Sequence, residues 1–292
     1  SKRKKKKKNK TQKTSKKTKM GNNLPLLRFV GKKQLVENST VIITGASQGI
    51  GRELAVQYSM RHNRLFLVAR KIELLKELKL ECEKNGSQVE IFKCDVTQKE
   101  ECEAAVKKCV AVYGGIQLLV LNAGVSAYER FDEVQDVEVY RKVMDVNFFG
   151  YMYFTFYAFP YLRKVKGQIL VISSISGEIG LPSRSAYCTS KFAVTGFFES
   201  LRTEVGDDLL ITIVCPPSVQ TSLRDNAISK SAFGGEAPSR MTVKECVETI
   251  IEAADFKTRK VYFPIKAYLA AYVRPLFPDY VDTRLKNQAK LQ

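Results

Sequence analysis

Short runs of consecutive apolar residues alternate along the chain with longer stretches in which apolar positions recur every three or four residues. The runs are TVIIT (40–44), RLFLVA (64–69), VEIFKC (89–94), LLVLN (118–122), QILVISS (168–174), LLITIVC (209–215) and KVYF (260–263). Each but the last is followed by a helical pattern, as at 50–60, 71–84, 98–112, 136–163 and 187–205. A strand that is apolar along its whole length has both faces buried. Such strands belong to parallel sheets, whose crossover helices cover the two sides. The pattern therefore predicts one doubly wound α/β domain with helices on both faces. In such sheets ligands collect at the carboxyl ends of the strands, where the strand order reverses.

The rhythm sets the domain limits. Residues 1–37 are a basic low-complexity tail and lead-in expected to be disordered, 38–263 form the folded domain, and 264–292 are a C-terminal extension that mixes apolar with basic residues. The stretch SLRDNAISKSAFGGEAPSRM (222–241) is too long for a routine connection and is expected to be a lid or a disordered loop. A 292-residue chain with 45% hydrophobic residues can bury a sizeable core.

Charge changes the picture once it is located. The net charge is +18, yet the first nineteen residues carry twelve Lys or Arg and no acid, which leaves 36 basic against 30 acidic residues in the other 273. A tail of this kind cannot fold by itself and is either solvated or available to anionic lipid, nucleic acid or an import receptor. No run reaches the roughly twenty apolar residues of a membrane span, and no secretory signal is visible. Seven cysteines, odd in number and without a CxxC pair, argue for a reducing intracellular compartment and against a zinc ribbon or disulfide framework. His62 is the sole histidine and lies in the polar run MRHNR, so a Ser-His-Asp triad and histidine-rich metal sites are excluded.

The first strand runs into TGASQGIG (44–51), and a helix opens immediately after it. Gly45 suits a tight turn, Gly49 lets a pyrophosphate approach the backbone, and Gly51 allows helix and strand to pack closely, with the helix N-terminus facing the anion. The spacing GxxxGxG differs from G-x-G-x-x-G, so the expectation of a nucleotide site rests on this mechanism and on the place of the turn after the first strand. At the end of the second strand stand Arg70 and Lys71, with no carboxylate to bond ribose hydroxyls. Two cations there favour NADP(H) over NAD(H), and Arg70 can fork onto phosphate oxygens. Asp95 is read either as a contact for the adenine amino group or as a helix cap for the segment beginning at Thr97.

Exchange of a hydride with an alcohol or ketone also requires a proton donor and acceptor near neutral pH. With no histidine suited to it, Tyr187 is the candidate. Bringing a phenol of pKa about 10 to work near pH 7 takes roughly 4 kcal/mol of differential interaction. A unit positive charge about 4 Å away supplies about that much at an effective dielectric near 20. Lys191 lies four residues on, on the same helix face. Ser174, at the end of QILVISS, is expected beside Tyr187 and able to bond the substrate oxygen. Asn122 is expected near the nicotinamide ribose, and Asn147 is expected to hold a water that relays protons to Lys191.

Taken together, TGASQGIG, NAG (122–124), Asn147, Ser174 and YCTSK (187–191) resemble the short-chain dehydrogenase/reductase family, in the family's order from about residue 38 to 263. The resemblance implies one Rossmann-like NAD(P)-binding domain with a seven-stranded sheet of order 3-2-1-4-5-6-7. It also implies a catalytic tetrad in which Tyr187 is the general acid/base, Lys191 lowers its pKa and binds ribose, Ser174 orients the carbonyl and Asn147 supports proton relay. The cofactor contacts it implies are Gly45, Ser47, Gln48, Gly49, Ile50, Gly51, Arg70, Lys71, Asp95, Val96, Asn122, Ala123, Gly124, Tyr187, Lys191 and Thr221, with no metal. The segment from SSISGEIG to SLRTEV is similar to the membrane-associated branch that includes the 11β-hydroxysteroid dehydrogenases and the dehydrogenase/reductase member 7 group. Two departures stand out: Pro216-Pro217 where Pro-Gly is usual, and Gln48 where NADP-preferring members often carry Lys or Arg.

These readings converge on an NADP(H)-dependent oxidoreductase for the carbonyl or hydroxyl of a lipophilic small molecule such as a steroid, a retinoid or a long-chain ketone. The alternatives are a scaffold that keeps the nucleotide fold and uses its lysine tail on nucleic acid or anionic membrane, and a ketosphinganine-type reductase. The expected partners are the lipophilic substrate and a second copy of the chain through helices 136–163 and 187–205, while the C-terminal stretch is read as docking on a membrane surface, covering the substrate pocket or packing in a dimer interface; nucleic acid is not among them. The expected location is the endoplasmic reticulum membrane surface or the cytoplasm.

Overall fold

A computed structural model describes residues 32–230, 240–264, 269 and 271–290. Seven strands form one parallel sheet: β1 (Thr40–Thr44), β2 (Arg64–Ala69), β3 (Val89–Lys93), β4 (Leu118–Leu121), β6 (Gln168–Ile172), β7 (Leu210–Cys215) and β9 (Lys260–Tyr262), in the order β3-β2-β1-β4-β6-β7-β9. Counting only these strands, that is the expected order 3-2-1-4-5-6-7. Two further strands, β5 (Ala127–Tyr128) and β8 (Ser229–Lys230), pair in parallel with each other outside the main sheet, through Ala127↔Ser229 and Tyr128↔Lys230.

Side chains in a strand alternate between faces, and the core divides accordingly. Val41, Ile43, Leu65 and Leu67 point to one side, where helices α1 (Gly49–Ser59), α2 (Ile72–Lys84) and α7 (Val243–Asp255) cover them with Leu54, Leu75, Leu78, Val247 and Ile250. Ile42, Phe66 and Val68 point to the other, beneath α3 (Lys99–Tyr113), α5 (Gly150–Lys164) and α6 (Ser185–Val205), which contribute Val106, Cys109, Phe154, Val194 and Phe198. All seven cysteines are buried and none is in a disulfide.

Three local features depart from the reading of the sequence. The helix expected over 136–163 is three pieces: α4 (Glu138–Met144), a π turn at Asp145–Phe149, and α5. The stretch 222–241 is tied down at its ends, since β8 pairs with β5 and Val219 forms an isolated bridge to Met241; residues 231–239 lie outside the described residues. Ahead of the expected boundary at residue 38, Gln34 N–H donates to the Asp255 carbonyl at 2.9 Å and Val36 N–H to Asp255 Oδ1 at 3.2 Å. Arg61 closes that anchor at 2.8 Å from Asp255 Oδ1. The lysine-rich run 1–19 lies outside the described residues. Of the C-terminal extension, Pro278–Lys290 forms helix α8.

Candidate active site

At the carboxyl end of β1 the chain turns sharply into α1. Gly45 (φ +65°) and Gly49 (φ +57°) occupy the left-handed region that other residues avoid. A Cβ on Gly45 would stand 2.7 Å from Ala123 Cα, and one on Gly51 would overlap the Gly45 carbonyl oxygen and come 2.5 Å from Asn122 Nδ2. The helix start is uncapped by any side chain: Gln48 is extended and makes no capping bond. Free first-turn N–H groups, a helix dipole and a backbone bare of Cβ atoms suit a pyrophosphate, so these residues fit the dinucleotide that the sequence implied.

Asn122 also braces the glycine turn. Its backbone N–H donates to Thr44 Oγ1 at 3.0 Å, and its side-chain Nδ2 donates to the Thr44 and Gly45 carbonyls at 3.0 and 3.2 Å. The side chain thus fastens β4 to the glycine turn, and the residue still lines the cleft.

Towards the adenosine end the cleft is lined by Arg70, Lys71, Asp95 and Val96. Arg70 is exposed and reaches to 4.0 Å from Asp95 Oδ2. Asp95 Oδ1 accepts from Thr97 N–H at 3.0 Å and Thr97 Oγ1 at 2.9 Å. This is a local turn and not the helix cap considered above, because α3 starts at Lys99 behind Gln98.

The other end is built by β6 and α6. Ser174 leaves β6 and starts a 3-10 turn (Ile175–Gly177), where its Oγ accepts from Ser176 N–H at 3.1 Å. Tyr187 and Lys191 face it from the first two turns of α6 and are 8% and 4% exposed. Burial raises the Tyr187 phenol above its ordinary range and the Tyr128 hydroxyl adds to this, while the Ser174 hydroxyl and the Arg184 guanidinium oppose it. Burial lowers Lys191 to about 8.

Lys191 is fixed in place by contacts on its ammonium. Its Nζ donates to the Ile172 carbonyl at 2.9 Å and stands 5.2 Å from the Tyr151 ring centroid and 5.9 Å from that of Tyr187. The ammonium is held by a main-chain oxygen and a ring face, beside the Tyr187 ring.

Asn147 lies in the π turn, fully buried and outside the cleft lining. Its Oδ1 accepts from Val125 N–H at 2.8 Å, and its Nδ2 donates to the Val125 carbonyl at 3.0 Å and Ser190 Oγ at 2.9 Å. Both ends of the amide are engaged, so the side chain clamps the segment after β4 against α6, and a relay water at this residue would rest on its main chain. Thr221 stands against Gly49, where an added Cβ would come 3.2 Å from Thr221 Cγ2. Pro216 and Pro217 line the cleft, and the Pro216 carbonyl accepts from Ile175 N–H at 3.1 Å.

One cleft therefore holds Gly45, Ser47, Gln48, Gly49, Ile50, Arg70, Lys71, Asp95, Val96, Asn122, Ala123, Gly124, Ser174, Tyr187, Lys191 and Thr221, with Gly51 and Asn147 behind its wall. Sequence reasoning missed Tyr128, Arg184, Arg224 and Arg240, which line it too. Arg184 was in view, three residues before Tyr187, whereas the two-residue strand that carries Tyr128 has no periodicity to detect. His62 sits in the turn after α1, away from the cleft, and no metal-binding group of His, Cys, Asp or Glu occurs among the described residues.

The short chain dehydrogenase family model matches residues 39–232. An 11-beta-hydroxysteroid dehydrogenase of Pinus massoniana is 34% identical over 259 residues, covering 85% of this chain and 73% of the relative. A dehydrogenase/reductase SDR family protein 7-like of Dictyostelium discoideum is 34% identical over 256 residues, covering 84% and 80%. The fold matches a short chain dehydrogenase from Burkholderia cenocepacia J2315 in complex with NADP, with TM-score 0.74, 25% identity and coverage of 86% of this chain and 99% of that one. It also matches a short chain dehydrogenase/reductase from Burkholderia phymatum in complex with NAD, with TM-score 0.73, 21% identity and coverage of 82% and 92%. A family match over more than half of the chain, with relatives 34% identical across most of it, means that this protein belongs to the short-chain dehydrogenase family and is an NAD(P)-dependent oxidoreductase acting on CH–OH groups.

Proposed function

We propose that the protein interconverts the carbonyl and hydroxyl groups of a lipophilic small molecule, of the steroid, retinoid or long-chain ketone class, with NADP(H) as its preferred cofactor. The observation that carries this reading is that one cleft holds Tyr187, Ser174 and Lys191 together with the glycine turn, at the end away from Arg70 and Lys71. Nicotinamide, when bound, supplies or takes up the hydride. Tyr187 Oη gives the proton to the substrate oxygen in reduction and removes it in oxidation. Ser174 Oγ donates to the same oxygen and fixes its direction. Lys191 holds the ribose end and supplies positive charge beneath the phenol, while Asn147 keeps Val125 and α6 in register around them.

Arg70 and Lys71 at the end of β2, with no carboxylate in their place, favour a 2′-phosphate. The 11-beta-hydroxysteroid dehydrogenase relatives favour a lipophilic substrate. Exposed aromatic residues on the outer surfaces of α5 and α6, among them Phe156 at 70% exposure and Phe192, suit a homodimer. Exposed Tyr272, Leu276, Phe277 and Tyr280 suit contact with a bilayer surface, although no helix among the described residues is long and apolar enough to cross one.

Tyr187→Phe tests the chemistry. With a panel of steroids, retinoids and long-chain ketones, we expect kcat to fall by at least about 100-fold while NADPH still binds, and the native enzyme to show higher kcat/KM with NADPH than with NADH. Turnover that survives the substitution would exclude the proton-transfer role.

A further inference from the structure

Ser174 opens a 3-10 turn (Ile175–Gly177), and Glu178 closes it. The bonds inside the turn make its two ends move together. Ser176 N–H donates to Ser174 Oγ at 3.1 Å, Gly177 N–H to the Ser174 carbonyl at 2.9 Å and Glu178 N–H to the Ile175 carbonyl at 3.0 Å. One side of the turn lies against α6, where a Cβ on Gly177 would stand 2.7 Å from the Lys191 carbonyl oxygen. Because Ser176 N–H occupies Ser174 Oγ from one side, the direction left to the serine hydrogen depends on how the whole turn is set.

The far end of the turn is held through a charge. Glu178 Oε1 lies 2.7 Å from Lys260 Nζ and accepts from Cys215 Sγ at 3.7 Å, while Oε2 accepts from Tyr262 Oη at 2.9 Å. Lys260 and Tyr262 belong to β9 and Cys215 ends β7, so one carboxylate fastens the turn to the last two strands of the sheet. Lys260 Nζ also donates to Glu199 Oε1 on α6 at 2.7 Å. The Glu178 and Lys260 side chains are only 13% and 16% exposed. Desolvation offsets most of the attraction in a pair so far removed from water, so its net contribution to stability is small. Three donors converging on one carboxylate instead supply a fixed direction.

We infer that Glu178 is a positioning residue of the reaction: its carboxylate, tied to β7 and β9, sets the turn that aims the Ser174 hydroxyl at the substrate oxygen. The inference rests on the role given to Ser174 above. Glu178 does not line the cleft and acts only through the turn. A shift of about 1 Å in a reacting group is enough to lower a rate about a hundredfold.

Glu178→Gln keeps the shape of the side chain and removes the charge that holds Lys260. On the full chain with NADPH and 5α-androstane-3,17-dione, all-trans-retinal or 2-dodecanone, kcat should fall about ten- to a hundredfold while NADPH affinity stays near its native value. Tyr262→Phe removes one hydroxyl from the same carboxylate and should lower kcat by less; it carries the comparison if Glu178→Gln does not fold. Arg61→Ala, which weakens the fold at the opposite edge of the sheet, is the control and should leave kcat unchanged. In a Ser174→Ala background, with product collected over hours, Glu178→Gln should cost less than about twofold, because losses passed through one group do not add. A native kcat in Glu178→Gln, a loss carried in full into the Ser174→Ala background, or an equal fall in Arg61→Ala would each overturn the inference. Amide hydrogen exchange reads the hold without turnover: with NADPH bound, residues 173–179 should exchange faster in Glu178→Gln and residues 45–51 should not. If none of the ketones is reduced, the substrate reading fails separately; there, or where Ser174→Ala forms no product, exchange decides. Acceleration confined to the turn upholds the inference, and unchanged exchange or acceleration throughout the chain overturns it.

Discussion

Lys191 is a buried cation whose cost of burial varies with pH. In the folded protein its pKa is lowered to about 8 from an ordinary value of 10.5. Between those two values the unfolded chain binds more protons than the folded one, so this residue makes stability rise with pH across that window, and its penalty is full below it. Lys191→Met keeps the volume and removes the charge. Urea midpoints measured from pH 7 to about 10.5 should therefore show the variant's advantage over the native protein largest at the acidic end and shrinking towards the alkaline end. Tyr187, whose pKa is raised by burial, works in the opposite sense above its ordinary range and is common to both proteins. Residue types and spacing made Tyr187, Lys191, Ser174 and the glycines legible in the sequence, because each chemistry demands a particular side chain at a particular offset. Side-chain direction was not legible. Asn122 and Asn147 sit where expected, yet their amides fasten backbone segments, and a sequence carries no record of which way an amide points.

Among the elements, the π turn at Asp145–Phe149 matters most to the site. It brings Asn147 to face Val125 and Ser190 from within what otherwise reads as one long helix. Single-turn π insertions change the helical phase by one residue, a drift too small to stand out in a pattern of apolar positions, so 136–163 read as unbroken. Asn147→Ala would leave the half-buried Val125 N–H and carbonyl and the buried Ser190 hydroxyl without these partners, at a cost of about 1 to 3 kcal/mol. Denaturant unfolding should register that loss, and kcat should fall with it, because Val125 lines the cleft. The glycine turn was easier to read. The position of Gly51 implied close packing, and the overlap that a Cβ there would suffer with the Gly45 carbonyl is its physical content.

At the scale of the whole molecule, seven apolar runs separated by helices dictated a parallel sheet with covered faces, and the strand boundaries moved by two residues at most between sequence and structure. The short β5–β8 pair escaped notice because two residues on each strand carry no alternation. The lead-in escaped for another reason: its attachment depends on Asp255, more than two hundred positions away. Arg61→Ala would leave that fully buried carboxylate with Lys33 at 3.9 Å as its remaining ion-pair partner among the described residues. The expected loss is about 2 to 3 kcal/mol by urea unfolding, with NADPH affinity retained, since the anchor is at the amino edge of the sheet and the cleft at the carboxyl edge. That separation gives the molecule two poles. Gln34 is fixed at the pole behind the sheet, whereas Tyr272 packs on Tyr262 at the end of β9, at the pole that opens to substrate. A flat anionic surface gripped at residue 32 would therefore leave the opening turned towards bulk water, and one gripped through the late aromatics would draw the opening towards the lipid.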